Sequence, residues 1–261
     1  MNKMNFGMPT LLELDSIEKN VLLCDELGLD FIEINMCMPE YQPGNIDETL
    51  FGRLKEQHGI EYTFHFPDHF NPFDFNPYIA EGWYRTTEQV IVLAKKLGSK
   101  IINMHLATGD YFTMPDKRIY LFDKYIEKYF ASVHEFRNFC DEMIGSENIT
   151  ICIENCSGFT DYHKSALDIL LAGNKFGLTL DIGHSRSCNF SDETFIKANS
   201  GRLRHMHIHD AIGKTNHLPL GEGELDINSY LEFGQSHTCT FVLETKTIAG
   251  LKKSVDWIKT K

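Results

Sequence analysis

Ionisable residues stand at the ends of several short apolar runs in this sequence. Glu154 ends TICIE, Asp181 ends GLTLD and Glu244 ends FVLE, while His207 lies near the end of RHMHIHD. Burying a carboxylate or an imidazole beside an apolar core is costly unless the group is paired or bound to metal, and these runs offer no basic partner. Three carboxylates and one imidazole suit Mn²⁺, Mg²⁺, Co²⁺ or Zn²⁺. The four residues therefore predict a site for one divalent metal ion.

Two further histidines end apolar runs of the same kind. His65 lies at the end of YTFHF and His105 ends IINMH, while Glu33 and Asn35 of FIEIN give a weaker signal. A single histidine at such a place is more often a hydrogen-bonded core residue than a metal ligand. The sequence leaves open whether these histidines contact a substrate or a second metal ion.

The segment RHMHIHD places three histidines on one face of a strand, because strand side chains alternate with a period of two. Only one or two of His205, His207 and His209 can reach the end of the strand, and we expect His205 to lie deeper as a structural residue. Cys152 and Cys156 flank Glu154 without ligand spacing or a nearby base. We interpret these two cysteines as packing residues.

The apolar runs alternate with longer amphipathic stretches, and the cycle occurs eight times. Strands are predicted at residues 4–8, 31–35, 61–66, 101–105, 149–154, 177–181, 203–208 and 239–244, and helices at 16–27, 47–58, 79–97, 116–143, 163–172, 191–198, 227–233 and 249–261. Ser16 stands at the start of the first predicted helix, and Gly28, Gly59 and Gly98 follow the first three, as helix caps do. Strands alternating with helices imply a parallel sheet, and eight units in this length favour closure. The prediction is a single-domain α/β protein, a (β/α)₈ TIM barrel over residues 1–261, with the ionisable residues at the end where barrel enzymes keep their sites.

One connection between these elements is unusual. Residues 67–77, PDHFNPFDFNP, contain prolines and Asn/Asp that exclude a helix, together with aromatic side chains that can pack. This segment is interpreted either as an ordered loop over the barrel mouth or as an aromatic loop that caps the core.

Composition narrows the partners and the compartment. The net charge is −12 and the sequence pI is about 5.4, which makes a nucleic-acid partner unfavourable because phosphate contacts need positive charge. Seven scattered cysteines without a C-x-x-C pair indicate reduced thiols. The N-terminus lacks a signal-peptide pattern and no apolar run could cross a membrane. We therefore expect a cytoplasmic protein with no membrane partner, and a homo-oligomer remains open.

Four segments of the chain carry a resemblance to a known family. They are ICIENCSG, LDIGHS, HMHIHDAIGKTNHLPLGEGELD and FVLET, in this order along the sequence. The chain resembles the xylose isomerase-like TIM barrel superfamily, which includes sugar phosphate isomerases and epimerases and the endonuclease IV type of abasic-site nuclease. By this resemblance, Glu154, Asp181, His207 and Glu244 match the four-ligand metal site that the superfamily shares.

The resemblance to the sugar enzymes implies a function. The chain would be a divalent-metal-dependent isomerase or epimerase of a sugar or sugar phosphate, acting by proton transfer through a metal-stabilised enediolate. Glu154 and Glu244 would then be both ligands and catalytic acid and base, and His184 would polarise or position a substrate hydroxyl. His65 and His105 would line the substrate pocket beside one metal ion.

The nuclease branch implies a different function, a metal-dependent phosphodiesterase with two or three ions. His65, His105, His184 and His217 match the histidines that hold additional zinc ions there, but Thr215 stands where that branch has an aspartate. A third ion would lack its charged ligand. A third class of function, a sugar-binding barrel without catalysis, would not need so many ionisable residues at the mouth.

Overall fold

Eight parallel strands close into a barrel in this computed structural model, which describes residues 3–261. The barrel strands are β1 (Asn5–Pro9), β2 (Phe31–Asn35), β3 (Glu61–His65), β4 (Ile101–His105), β7 (Thr150–Glu154), β8 (Phe176–Asp181), β9 (Leu203–Ile208) and β12 (Thr240–Leu243). Around the barrel they follow one another in chain order, and β12 closes the ring against β1. The predicted (β/α)₈ TIM barrel is confirmed, and the predicted strand positions differ from the observed ones by one residue or less at each end.

Helices connect the barrel strands on the outside. They are α1 (Ile17–Leu27), α2 (Glu48–His58), α3 (Pro77–Leu97), α4 (Leu121–Lys124), α5 (Ile126–Ile144), α6 (Asp161–Leu171), α7 (Ile182–Ser187), α8 (Glu193–Ala198), α9 (Ile227–Ser236) and α10 (Ile248–Lys259). Short 3₁₀ turns lie at Pro39–Tyr41, Pro43–Asn45 and Ser200–Arg202. The Ser16 hydroxyl caps α1, and α1, α2 and α3 each end at a glycine with positive φ, as the sequence predicts. Within residues 3–261 no helix has the length and apolar character that a membrane span requires.

The helix predicted over residues 116–143 is wrong in its first part. A hairpin of β5 (Tyr111–Thr113) and β6 (Arg118–Tyr120) extends into the start of the predicted helix, and α4 and α5 follow it. The turn MPDK between the two strands contains Pro and Asp, which favour turns over helix interiors. The rings of Tyr111 and Tyr120 pair across the hairpin with their centroids 5.5 Å apart. Tyr125, with φ −113° and ψ 47°, then separates α4 from α5.

The segment after β8 also departs from the prediction. Only residues 193–198 of the expected helix 191–198 are helical, and a short helix, α7, stands directly after β8 where none was predicted. Its first backbone groups are capped by Asp181, whose Oδ1 accepts a 2.6 Å hydrogen bond from the backbone N–H of His184. The same aspartate is one of the predicted metal ligands.

The aromatic loop at residues 67–77 serves both of the roles considered for it. Phe70 and Phe73 are fully buried, and their rings lie 6.1 and 5.4 Å from that of Phe136 in α5. Asp68 instead lines a cavity of about 320 Å³ beside the barrel mouth. The loop is therefore anchored in the core by its aromatic residues and presents its polar residues to the mouth.

Candidate metal centre

The four predicted metal ligands come from four neighbouring strands of the barrel. Glu154 is the last residue of β7, Asp181 ends β8, His207 lies in β9, and Glu244 follows β12 directly. Registration places Asp181 opposite His207, and His207 opposite Val242 of β12. All four side chains are buried. The fold therefore brings these residues together at the C-terminal end of the barrel.

The four side chains converge on one ring nitrogen. Nδ1 of His207 lies 3.3 Å from Oε2 of Glu154, 3.3 Å from Oε2 of Glu244 and 3.9 Å from Oδ2 of Asp181. Within residues 3–261, His207 Nδ1 and Glu244 Oε2 are buried without a hydrogen-bond partner. Buried polar atoms are normally satisfied. These unpartnered atoms and the three carboxylates make a donor set that fits a divalent cation.

The charges in this group depend on one another. Burial by itself would raise the pKa of Glu154, but the charges of His207 and His105 hold it well below its usual value. The pKa of Glu244 is likewise held well below its usual value, because His207 and Lys246 outweigh its burial. Burial lowers the pKa of His207, whereas the carboxylates around it raise that pKa well above its usual value. A protonated imidazole thus balances the carboxylates, and a bound cation would replace that proton.

Glu33 supports His207 from below the mouth. Its Oε1 lies 3.0 Å from Nε2 of His207, and its Oε2 is within 3.0 Å of Nε2 of His205. A carboxylate on the outer nitrogen of a metal-binding histidine fixes the orientation and the tautomer of the ring. The sequence marked Glu33 only as a weak signal, although a charge inside the apolar run FIEIN was the clue.

Asn103, which sequence reasoning missed, fixes the carboxylate of Glu154. The amide of Asn103 donates a hydrogen bond to Oε2 of Glu154, and the hydroxyl of Thr179 donates to Oδ1 of Asn103 at 2.6 Å. All three side chains are buried. The other carboxylate oxygen, Oε1, lies 3.3 Å from Nδ1 of His184. Glu154 therefore presents its two oxygens to different neighbours.

Asp181 is fixed by backbone and side-chain contacts that the sequence did not reveal. Asn155 exchanges two 2.9 Å hydrogen bonds with the backbone of Asp181. Nε2 of His209 lies 3.0 Å from Oδ2 of Asp181. This approach requires Gly183, because a Cβ there would stand 2.0 Å from Cε1 of His209. His205 lies deeper than the other two histidines, against Glu33 and Thr240. This agrees with the prediction that only one or two of the three histidines reach the site.

His65 and His105 lie on the other side of Glu154. Their Nε2 atoms are 3.3 and 3.5 Å from Oε2 of Glu154. Burial lowers the pKa of His65, but the hydrogen bond to Glu154 and the charge of Glu33 raise it to about 9. The two histidines and Glu154 place ligand atoms within 4.8 Å of one another, so they could hold a second cation.

His217 reaches the site from the hairpin of β10 (Asp210–Ile212) and β11 (Thr215–Leu218). Its backbone N–H donates a 2.8 Å hydrogen bond to Nδ1 of His209, and its own Nδ1 lies 3.7 Å from Oε2 of Glu244. Burial lowers the pKa of His217 to about 4, in spite of the charge of Glu244. Thr215 is exposed at the start of β11, and its hydroxyl supplies no negative charge to His217.

One expectation about neighbouring residues is corrected, and a second residue has neighbours that the sequence did not indicate. The sequence suggested no basic partner for the carboxylates, yet Nζ of Lys246 lies 2.6 Å from Oε1 of Glu244. Cys152 is buried packing, as interpreted, but Cys156 is only half-buried and its sulfur lies within 4.8 Å of ligand atoms of Glu154 and His184. Burial and the charges of Glu154 and Asp181 raise the pKa of the Cys156 thiol well above its usual value. Lys246 and Cys156 both lie just beyond the end of a strand, where the alternation of strand residues does not predict which way a side chain points.

The protein is therefore an eight-stranded α/β barrel whose carboxylates and histidines form a candidate metal centre at the mouth. The sequence model of the xylose isomerase-like TIM barrel family matches residues 21–261. The chain therefore belongs to this family, and the resemblance noted in the sequence is confirmed.

Solved structures with the same fold include sugar epimerases. A D-tagatose 3-epimerase-like protein is 23% identical, with a TM-score of 0.78 over 98% of this chain and 96% of that one. A 3-keto-D-glucoside 4-epimerase of E. coli is 16% identical, with a TM-score of 0.76 over 99% and 100%. The IolI protein with a bound zinc atom is 15% identical, with a TM-score of 0.74 over 98% and 96%.

Proposed function

We propose that this protein is a divalent-metal-dependent isomerase or epimerase of a small sugar or sugar phosphate. The observation that carries the proposal is the pair of buried carboxylates on one imidazole. Glu154 and Glu244 each place an oxygen 3.3 Å from Nδ1 of His207. Two carboxylates placed together at a substrate can act as general base and general acid toward a carbon beside a carbonyl group. Membership of a family whose solved relatives include sugar epimerases supports the same reaction.

One ion held by Glu154, Asp181, His207 and Glu244 would supply positive charge next to the substrate oxygens, which lowers the cost of the negative charge that proton removal creates. Mn²⁺, Co²⁺, Mg²⁺ and Zn²⁺ all fit this donor set. The amide of Asn103 donates a hydrogen bond to Glu154, and the ammonium of Lys246 donates one to Glu244. These contacts hold the two glutamates in place. One glutamate removes the proton and the other returns it.

His184 is proposed to position a hydroxyl of the substrate. Its Nδ1 faces Oε1 of Glu154, and the ring is only half-buried at the mouth. Burial lowers the pKa of His184, but the charges of Asp181 and Glu154 raise it to about 9. The ring can therefore donate hydrogen bonds to a sugar oxygen at neutral pH.

A cavity beside Lys246, whose ammonium contacts Glu244, has the size for a small substrate. It measures about 340 Å³ and is lined by Thr10, Asn35, Cys37 and Lys246, among others. Pockets for small molecules begin at about 300 Å³. Polar groups and one ammonium suit a hydroxylated molecule, with or without a phosphate.

The test is exchange of a substrate proton with solvent. Metal-stripped protein reloaded with Mn²⁺ or Co²⁺ is incubated in D₂O with a panel of ketoses and their phosphates, and proton NMR follows deuterium entering beside the carbonyl. Glu154→Gln and Glu244→Gln should each slow exchange by roughly 10²–10⁴-fold. Glu56→Gln, on the exposed face of α2, is the matched control and should leave it unchanged. Near-normal exchange by either active-site variant would refute the two-glutamate mechanism, and binding without exchange would favour a sugar-binding barrel.

A metal-dependent phosphodiesterase is the second candidate function. The approach of His65 and His105 to Glu154 favours it, because these three residues could hold a second ion beside the first. Paired ions clamp a phosphate in such enzymes. The net charge of −12 opposes binding to duplex DNA. We expect no cleavage of duplex DNA with an abasic site, and efficient metal-dependent incision at physiological salt would rank this function first.

A further inference from the structure

Cys156 lies close to two possible metal ligands, although it is outside the strands whose pattern predicted the other site residues. It lies two residues beyond the end of β7 and is half-buried. Its sulfur, a carboxylate oxygen of Glu154 and a ring nitrogen of His184 all lie within 4.8 Å of one another. A thiol, a carboxylate and an imidazole at this spacing are three of the ligand types that bind zinc.

Glu154 can serve this group without leaving the first centre. Oε1 of Glu154 is 3.3 Å from Nδ1 of His184, whereas Oε2 is 3.3 Å from Nδ1 of His207. A carboxylate that directs its two oxygens to different histidines can bridge two cations. The position is also accessible, because Cys156 lines the same cavity of about 320 Å³ as Asp68 and His105.

Charge decides which ion this group would take. Thr215 is exposed and contributes no carboxylate to the histidines of the mouth, so Glu154 is the one carboxylate among the three residues of this group. Cys156 supplies a second anionic ligand when its thiol loses a proton to solvent as the metal–sulfur bond forms, with no change of oxidation state. Soft thiolates select Zn²⁺ over Mg²⁺ or Mn²⁺.

We propose that Cys156, His184 and Glu154 form a second metal site, which binds a thiophilic divalent ion such as Zn²⁺ beside the carboxylate-rich centre. This inference goes beyond the proposed isomerase reaction and does not depend on it, because the site can be detected without a substrate. An ion bound here would occupy His184 and Oε1 of Glu154, so it would compete with the roles proposed for these residues in that reaction. The carboxylate-rich centre accepts hard ions, whereas this site discriminates in favour of soft ones.

Cobalt provides the probe. The metal-free full-length protein is titrated with Co²⁺ under a non-thiol reductant, and the near-ultraviolet absorption of thiolate-to-cobalt charge transfer is recorded. We expect the band in the wild type and its loss in Cys156→Ser. Cys37→Ser and Cys188→Ser are the controls, because Cys37 is the exposed thiol and Cys188 is a half-buried thiol whose sulfur lies 3.9 Å from the carbonyl oxygen of Cys156. Both controls should keep the band.

Two further variants separate this site from the first centre. Asp181→Asn should weaken binding at the carboxylate-rich centre but keep the charge-transfer band, since an asparagine oxygen can still cap α7. His184→Gln should weaken the band. If Cys156→Ser does not fold, protection of Cys156 from alkylation by Zn²⁺ in the wild type, read by mass spectrometry, replaces it. No band in the wild type, a band that survives Cys156→Ser in the folded protein, or no Zn²⁺ protection of Cys156 overturns the proposal.

Discussion

Two histidines of β9, His205 and His207, stand two residues apart on one face of the strand, yet the hydrogen bonding and charge around their rings differ. Nδ1 of His205 lies 2.5 Å from the hydroxyl of Thr240 and its Nε2 is 3.0 Å from Glu33, so both ring nitrogens have a partner. Burial lowers the pKa of His205. His207 faces several carboxylates, its pKa is raised well above the usual value, and its Nδ1 has no hydrogen-bond partner within residues 3–261.

This difference separates a structural histidine from a candidate ligand. Both rings are fully buried and both contact Glu33, so burial and a carboxylate neighbour do not distinguish them. What differs is that neither ring nitrogen of His207 makes a hydrogen bond within residues 3–261, and that its Nδ1 faces the carboxylates of Glu154 and Glu244. Several buried carboxylates around one imidazole leave an excess of negative charge, which a bound cation would offset.

The largest expected effect is the difference in metal affinity between variants in which His207 or His205 is replaced. His207→Gln removes a proposed ligand, so we expect metal affinity to fall by more than the roughly 10–100-fold that loss of a supporting partner costs. His205→Gln keeps the four predicted ligands and should change affinity much less. Isothermal titration of the metal-free variants with Mn²⁺ or Zn²⁺ measures both. Equal losses in the two variants would contradict the distinction.

A smaller effect is expected from the residue that both histidines share. Glu33→Gln keeps the shape of the side chain but removes the charge beside Nε2 of His207. The ring then loses part of its orientation and basicity, and affinity for the metal should fall about 10–100-fold. Glu61→Gln, on the half-exposed carboxylate paired with Lys55, is the control. An unchanged affinity in Glu33→Gln would show that Glu33 only stabilises the fold.

The smallest effect concerns a buried histidine outside the mouth. Burial lowers the pKa of His163 to about 4, so in the folded protein the ring stays neutral at pH values where the unfolded chain, with a pKa near 6.5, takes up a proton. Stability is therefore lost as pH falls from about 6.5 to 4, by about 2 kcal/mol at pH 5 relative to pH 7.5.

His163→Gln removes this titration while a glutamine can still complete the capping box of α6 with Thr160. Urea denaturation at pH 7.5 and pH 5 should show a smaller loss of stability in the variant than in the wild type. An equal loss in both proteins would mean that His163 stays solvated or takes up its proton without cost in the folded state.

The sequence by itself determined the barrel and the four converging residues. Strand and helix periods alternate eight times, and the parallel strands of a barrel end at one face, so Glu154, Asp181, His207 and Glu244 had to share a mouth. The sequence did not predict the hairpin at residues 111–120, because its three-residue strands are exposed or half-buried and show no alternation of buried and exposed residues.

Only the tertiary structure decided which polar residues support the mouth. Asn103, Asn155 and Glu33 act through partners that are 26 to 172 residues away, and no local pattern records such contacts. Lys246 and Cys156 lie just past strand ends, where side-chain direction depends on the turn that follows. Periodicity in a sequence reports which face a residue is on, whereas hydrogen bonding and charge pairing depend on distances that exist only after the barrel closes.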